Sequence, residues 1–203
     1  MGKGAILDVD GTLLDSMPIW ENSSARFLAG LGIEAEKGLN DIMFRLSLDE
    51  GSAYLKKAYR LDLSEQEVKE GAREFLEQLK KRDFSMYIAT SSNREHIRAA
   101  FERLGMYDYF DGLITCEEAG ASKRDPRIFL ISAERMGLAP EDVFVFEDVI
   151  HAIRSAGSAG FVTVGVYDEA SDADNEAMRA ESSIYLHSLK NWDQFREAAG
   201  LKR

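Results

Sequence analysis

Asp8 and Asp10 are the first residues of this 203-residue chain whose spacing chemistry can use. An apolar run, Ala5-Ile6-Leu7, leads into Asp8; Val9 separates it from Asp10, and Gly11-Thr12 then breaks the pattern. Side chains of a strand alternate faces, so these two acids would point the same way if the strand ran on. Carboxylates aimed at one point repel each other unless a cation or a shared proton compensates them. The ordinary alternative is a solvated acidic turn, and the residues at other strand ends decide between the two. Thr90 closes the run MYIAT and is followed by Ser91-Ser92-Asn93; Lys123 precedes Asp125-Pro126; Glu147-Asp148 follow VFVF. Taken singly, Thr90 and Ser92 read as helix caps, Glu147-Asp148 as a cap of the next helix, and Lys123 as a solvated lysine. Taken together they are four carboxylates, hydroxyls, helix N-terminal amides and one lysine. Oxygen donors with few histidines suit a hard cation, Mg²⁺ first. A hydroxyl, amides and a lysine suit a phosphoryl group, and the combination points to phosphoryl transfer.

These residues converge only if the elements that carry them form one sheet. The spacing predicts strands over Ala5–Leu7, 86–90, 113–115, 143–146, 161–166 and 184–186. Between them lie helical patterns, including Ile97, Ala100, Phe101 and Leu104, then Phe129, Ala133 and Met136, and finally Trp192 and Phe195. Strands alternating with helices of this length mean βαβ units and a mainly parallel sheet in a three-layer, Rossmann-like α/β core. Ligands of such sheets bind at the carboxyl ends of the strands, where the residues above fall. After the first strand the pattern is helical for some sixty residues, with Pro18 in a first turn and capping boxes at Ser47–Glu50 and Ser64–Glu67. No strand is evident between Leu14 and Arg82. The layout expected is an α/β core of residues 1–14 and 80–203 with an all-helical cap inserted at 15–79.

Composition narrows the partners. Asp and Glu outnumber Lys and Arg by 36 to 25, a net charge of -11, which has the wrong sign for nucleic acid or an anionic membrane. A small phosphorylated metabolite held by a metal and a local lysine remains compatible. The single Cys116 forms no intramolecular disulfide and reads as a small core residue. No apolar stretch reaches the length of a membrane span, and the N-terminal run is too short for a signal peptide. A cytoplasmic, monomeric protein is expected.

The chain resembles the haloacid dehalogenase-like superfamily, in the branch with a helical cap after the first strand that holds the beta-phosphoglucomutases and their phosphatase relatives. DVDGTLLDS at 8–16 matches its first motif, ATSS at 89–92 its second and VFEDV at 145–149 its fourth. The third, Gly-Lys-Pro-x-Pro with Asp-x-Phe, is kept in SKRDPRIF at 122–129 only through Lys123, Pro126 and Phe129; Ser122, Arg124 and Arg127 depart from it. The resemblance implies that Asp8 is a nucleophile forming an aspartyl-phosphate and Asp10 the general acid and then base. It implies Mg²⁺ on Asp8, the Asp10 carbonyl and Asp148, with Glu147 supporting, and phosphoryl oxygens on Thr90, the Ser91 amide and Lys123. Dehalogenases and phosphonate-cleaving members lack an acid at the Asp10 position, so phosphate esters are favoured.

A sugar-phosphate mutase is the alternative. Mutases of this branch carry a histidine twelve residues past the nucleophile, where this chain has Trp20, and a cap arginine where SLDE at 47–50 places Leu48. Arg45 lies nearby and is able to substitute. A hydrolase is the favoured reading. Trp20, Met43 and Arg45 are candidate specificity residues, although Trp20 reads equally as packing between helices and Arg45 as a surface arginine. His96, His151 and His187 lack metal-ligand spacing, and the acidic run 168–181 reads as a solvated helix and its approach. A receiver-like or non-catalytic phospho-binding protein is the alternative of another class. Its accepting aspartate would end an internal strand, without a helical insertion.

Overall fold

The structure is a computed structural model describing residues 2–15, 28, 33–37, 39 and 67–202. Trp20, Met43, Arg45 and Leu48 lie outside the described residues, as does most of the expected insertion. Two isolated residues of it, Leu28 and Leu39, are helical and buried.

Strand β1, Gly4–Leu7, occupies the middle of a six-stranded sheet. Its neighbours are β4, Ser85–Thr90, and β6, Val143–Glu147, with β5, Gly112–Thr115, beyond β4 and β7, Val162–Val166, then β8, Ile184–Leu186, beyond β6. Every ladder of this sheet is parallel. The order 5-4-1-6-7-8 is that of a doubly wound α/β fold, and the expected core architecture is the one observed. Alternation divides the apolar residues between two layers. Ala5, Leu7, Phe144 and Phe146 face one layer, and Ile6, Val143 and Val145 face the other. Fully apolar strands such as VFVF are what a sheet covered on both faces requires.

Helices α1, Ala72–Lys80, and α7, Trp192–Ala198, close the first layer. Phe75 stands edge-on to Phe146 with ring centroids 5.5 Å apart, and lies 5.2 Å from Phe195 and 5.1 Å from Trp192. Helices α2, Arg94–Arg103, and α3, Cys116–Ala119, follow β4 and β5 respectively. Helices α4, Arg127–Met136, and α5, Ile150–Ser158, follow the Lys123 loop and β6, and Phe129 and Ala152 join the second layer. Helix α6, Asn175–Glu181, leads into β8.

The stretch before α1 departs from expectation in three ways. Leu14–Asp15 form β2 and Glu67–Val68 form β3, pairing antiparallel with Leu14 opposite Val68. A strand therefore exists between Leu14 and Arg82. Second, the helix expected from the Ser64–Glu67 box begins at Ala72, because Gly71 adopts a left-handed φ of 87° that ends the extended segment. A Cβ on Gly71 would also lie 2.6 Å from the Lys190 backbone nitrogen, so the close approach of the two segments needs a glycine. Third, α1 packs its Phe75, Leu76 and Leu79 into the core, so these residues, expected within the insertion, join the α/β unit. Gly11, at φ 86°, makes the corresponding turn on the outgoing side, where Leu13 and Leu14 donate their N–H groups to the Val9 carbonyl, each at 2.9 Å.

Phe75 touches three rings of this layer, and its replacement leaves a cavity the aromatic cluster cannot refill. Phe75→Ala is expected to destabilise the protein by about 3–5 kcal/mol, measured by urea unfolding. A loss below about 1 kcal/mol would contradict its central place in the packing.

Candidate active site

Three loops deliver charge to one point at the carboxyl edge of the sheet. The ladder carries β1 one residue further, since Asp8 N donates to Phe146 O at 3.1 Å, and this fixes Asp8 beside the end of β6. There Glu147 and Asp148 follow four apolar residues of the strand, and both are buried at the sheet edge. The third loop brings Lys123. It lies between α3, which a Thr115–Glu118 capping box starts, and α4, where Pro126 occupies the N-cap and Asp125 Oδ1 accepts from Arg127 N at 2.9 Å. All four side chains are buried, at 6% exposure for Asp8, 5% for Lys123, 1% for Glu147 and 2% for Asp148.

The Lys123 ammonium contacts Asp8 Oδ1 and lies 2.7 Å from Glu147 Oε1. One carboxylate oxygen from each of Asp8, Glu147 and Asp148 lies within 4.8 Å of the others. Glu147 Oε2 is buried and accepts no hydrogen bond among the described residues. Burial raises the Asp8 carboxyl above its ordinary value against the pull of Lys123, with Asp10 adding to the rise. Burial also pushes Glu147 well up, again opposed by Lys123. Asp148 rises to about 7, through burial first and then the charge of Asp8. Burial alone would lower Lys123, but Asp8 and Glu147 hold it above its usual range. One ammonium faces three carboxyls, so the cluster lacks positive charge. An all-oxygen donor set with an orphaned buried carboxylate oxygen fits a divalent cation, which would supply that charge.

The departures at Arg124 and Arg127 do not displace Lys123. Both arginines are exposed, and Arg127 turns its guanidinium back toward Gly120 O at 3.4 Å and Asp125 Oδ2 at 3.5 Å. At the end of β4, Thr90 is fully buried and its Oγ1 accepts from Ser92 N at 3.0 Å. Asp10 is half-buried and accepts from Ser92 Oγ at 2.7 Å. Ser91 is exposed, with its hydroxyl 3.4 Å from Cys116 Sγ, and Cys116 opens α3 half-buried, where a core position was expected. The structure thus gathers Asp8, Lys123, Glu147 and Asp148 directly, and ties Asp10 to the Thr90 turn.

A further group went unread in the sequence. Asp168, expected to be solvated with the rest of its acidic run, is 5% exposed and pairs with Lys69, whose Nζ lies 2.5 Å from its Oδ2. Lys69 Nζ also donates to Tyr167 O at 2.8 Å, and Ser171 Oγ lies 3.3 Å from Asp148 Oδ2. The signal was present: Asp168 follows the end of β7 by two residues, and the strand-end rule applies there too.

Set against known proteins, residues 3–160 match the haloacid dehalogenase-like hydrolase family, and the chain belongs to that family. A phosphorylated carbohydrates phosphatase from Thermotoga maritima is 28% identical over 176 residues, covering 78% of this chain and 82% of that protein. Among solved structures, a haloacid dehalogenase-family hydrolase from Deinococcus radiodurans R1 with bound phosphate and sodium superposes with a TM-score of 0.74 at 19% identity, covering 99% of this chain and 98% of the other. A beta-phosphoglucomutase from Clostridium difficile gives 0.67 at 20% identity, covering 98% of each chain. At these identities the structural matches establish the fold. No helix among the described residues is long and apolar enough to cross a membrane.

The raised Asp148 carboxyl sets a pH dependence. Its folded value of about 7 exceeds the ordinary 3.8, so the metal-free folded state binds more protons than the unfolded chain between those values. The stabilisation from that proton is complete at low pH and is lost as pH rises through about 7. A divalent cation bound to these carboxylates would take the proton's place and compete with it. Added Mg²⁺ is expected to raise the thermal midpoint more at about pH 8 than at about pH 5.5. Equal shifts at both would mean that Asp148 does not take part in binding.

Proposed function

We propose that this hydrolase is a Mg²⁺-dependent phosphatase acting on a small phosphorylated metabolite, a phosphorylated carbohydrate in the first instance, through an aspartyl-phosphate intermediate. The observation that carries the reading is the buried Lys123 ammonium shared by Asp8 and Glu147 beside an unpartnered Glu147 oxygen. The carbohydrate is supported by the name of the Thermotoga maritima relative.

Asp8 is the nucleophile. Lys123 holds its carboxylate ionised against the desolvation that raises its pKa, and the same ammonium, with Thr90 Oγ1 and the Ser91 amide, receives the phosphoryl oxygens. Asp8 attacks phosphorus, the ester P–O bond breaks, and Asp10 gives its proton to the departing alkoxide. Asp10, now a carboxylate, takes a proton from the water that attacks the acyl phosphate, which returns Asp8 and releases inorganic phosphate. Asp8, the Asp10 carbonyl and Asp148 would hold Mg²⁺, with Glu147 supporting. When bound, the cation screens the approach of one anion to another. Within this reading the residues between β2 and β3 form the helical cap, and Trp20 and Arg45 supply substrate specificity.

Release of inorganic phosphate from a panel of sugar and polyol monophosphates tests the activity. EDTA and Asp8→Asn are each expected to reduce it to background, and substantial turnover by Asp8→Asn would exclude the covalent route. Asp10→Asn is expected to slow turnover by about 10²–10⁴-fold, the usual contribution of a positioned acid and base. A fully active variant would remove its proton-transfer role. Conversion of a hexose 1-phosphate to the 6-phosphate without phosphate release would favour the mutase reading.

A further inference from the structure

Ser92 is a polar residue whose obvious structural task has been taken by its neighbour. A serine before a helix ordinarily caps it. Here α2 is capped by Asn93, whose Oδ1 accepts from Glu95 N at 2.9 Å. The Ser92 hydroxyl points elsewhere, donating to Asp10 Oδ2 at 2.7 Å across 82 residues of sequence. A hydroxyl has one hydrogen to give, and this one is given to a carboxylate.

The donor is held in place by its own turn. Ser92 is 9% exposed, and its backbone N–H donates to Thr90 Oγ1 at 3.0 Å. Arg94 fastens the next residues to β5 and α3 through Leu113 O at 2.5 Å and both Glu118 carboxylate oxygens, at 2.5 and 2.7 Å. Asp10, by contrast, sits half-buried past the end of β1, next to the left-handed Gly11. A hydrogen bond from a fixed turn to a half-buried carboxylate orients the carboxylate. A proton carrier needs that orientation, because it works only within hydrogen-bond reach of the leaving oxygen.

We infer that Ser92 is the positioning residue for Asp10, and that Thr90, Ser92 and Asp10 form one hydrogen-bonded chain setting the proton carrier relative to the bound phosphoryl group. The inference rests on the acid and base role proposed for Asp10. Through Thr90 Oγ1 the Ser92 amide is tied to a phosphoryl-binding side chain, and through Ser92 Oγ the same residue sets the Asp10 carboxylate. A displacement of the β4–α2 turn would therefore move both together.

The test compares two leaving groups in rapid-mixing experiments on the full chain with Mg²⁺. p-Nitrophenolate departs as a stable anion and needs no proton, whereas the alkoxide of a sugar phosphate takes one from Asp10. Ser92→Ala is expected to lower the ratio of sugar-phosphate to p-nitrophenyl-phosphate phosphorylation rates by about tenfold, a fraction of the loss expected for removing the acid. The KM for the sugar phosphate should change little, and Ser92→Thr, which keeps the hydroxyl, should restore the ratio. Equal slowing for both leaving groups, or a rise in KM alone, would overturn the inference. If Ser92→Ala fails to fold, Ser92→Cys, a weaker donor of similar size, is expected to lower the ratio in the same direction, and an unchanged ratio refutes it. Asp10→Asn separates the two readings. If it leaves the ratio unchanged, the role of Asp10 falls; if it lowers the ratio and Ser92→Ala does not, only the role of Ser92 falls.

Discussion

The structure turns on one ammonium group buried among three carboxyls. Lys123 is the charge that allows Asp8, Glu147 and Asp148 to share a dry corner of the sheet edge, and its own burial is tolerable only because they surround it. Removing either side of such a pair leaves an uncompensated buried charge, which is far more costly than the pair itself. The fold is arranged to deliver this meeting. β1 and β6 lie side by side so that Asp8 and Glu147 end level, and the loop ahead of α4 returns to the same edge to bring the lysine. One positive charge against three acids leaves the corner short, a deficit that a cation would make good.

The second aspartate lives under different rules. Asp10 is two residues from Asp8, yet it stands half-buried and bonded to Ser92 while Asp8 is enclosed with Lys123. A short carboxylate pair thus becomes two groups with different surroundings, because Asp8 meets Lys123 at the end of β1 while Asp10, two residues past the ladder, meets Ser92. The departures at Arg124 and Arg127 show the same separation of duties. Both lie on the outer side of the Lys123 loop, where they alter the surface and leave the lysine in place.

Much of this was legible because the core strands are unambiguous. VFVF, MYIAT and FVTVGV are apolar runs bounded by polar turns, and once they are parallel neighbours, the residues after them must share an edge. What escaped had no periodic signal. Glu67-Val68 is too short to show alternation, and its strand character comes from pairing with Leu14-Asp15, which local sequence does not encode. Ser92 and Asn93 are both good caps, and only geometry assigns the task to Asn93 and leaves Ser92 for Asp10. Asp168 was hidden by its acidic neighbours, since its partner Lys69 lies on the far side of four strands in sequence. The positions of Trp20 and Arg45 fall outside the described residues.

The placement of β1 has a consequence for how the molecule is made. The strand that leads into Asp8 is synthesised well before both of its flanking strands, β4 at Ser85 and β6 at Val143. A parallel strand has no hairpin partner, so β1 must stay without its ladders until distant segments arrive. The buried acidic corner therefore closes only after Glu147 has emerged, with Lys123 already waiting in the loop before it. Until then the acids and the lysine stay hydrated, and seating β6 beside β1 is what withdraws them from water, before β7 and β8 extend the sheet.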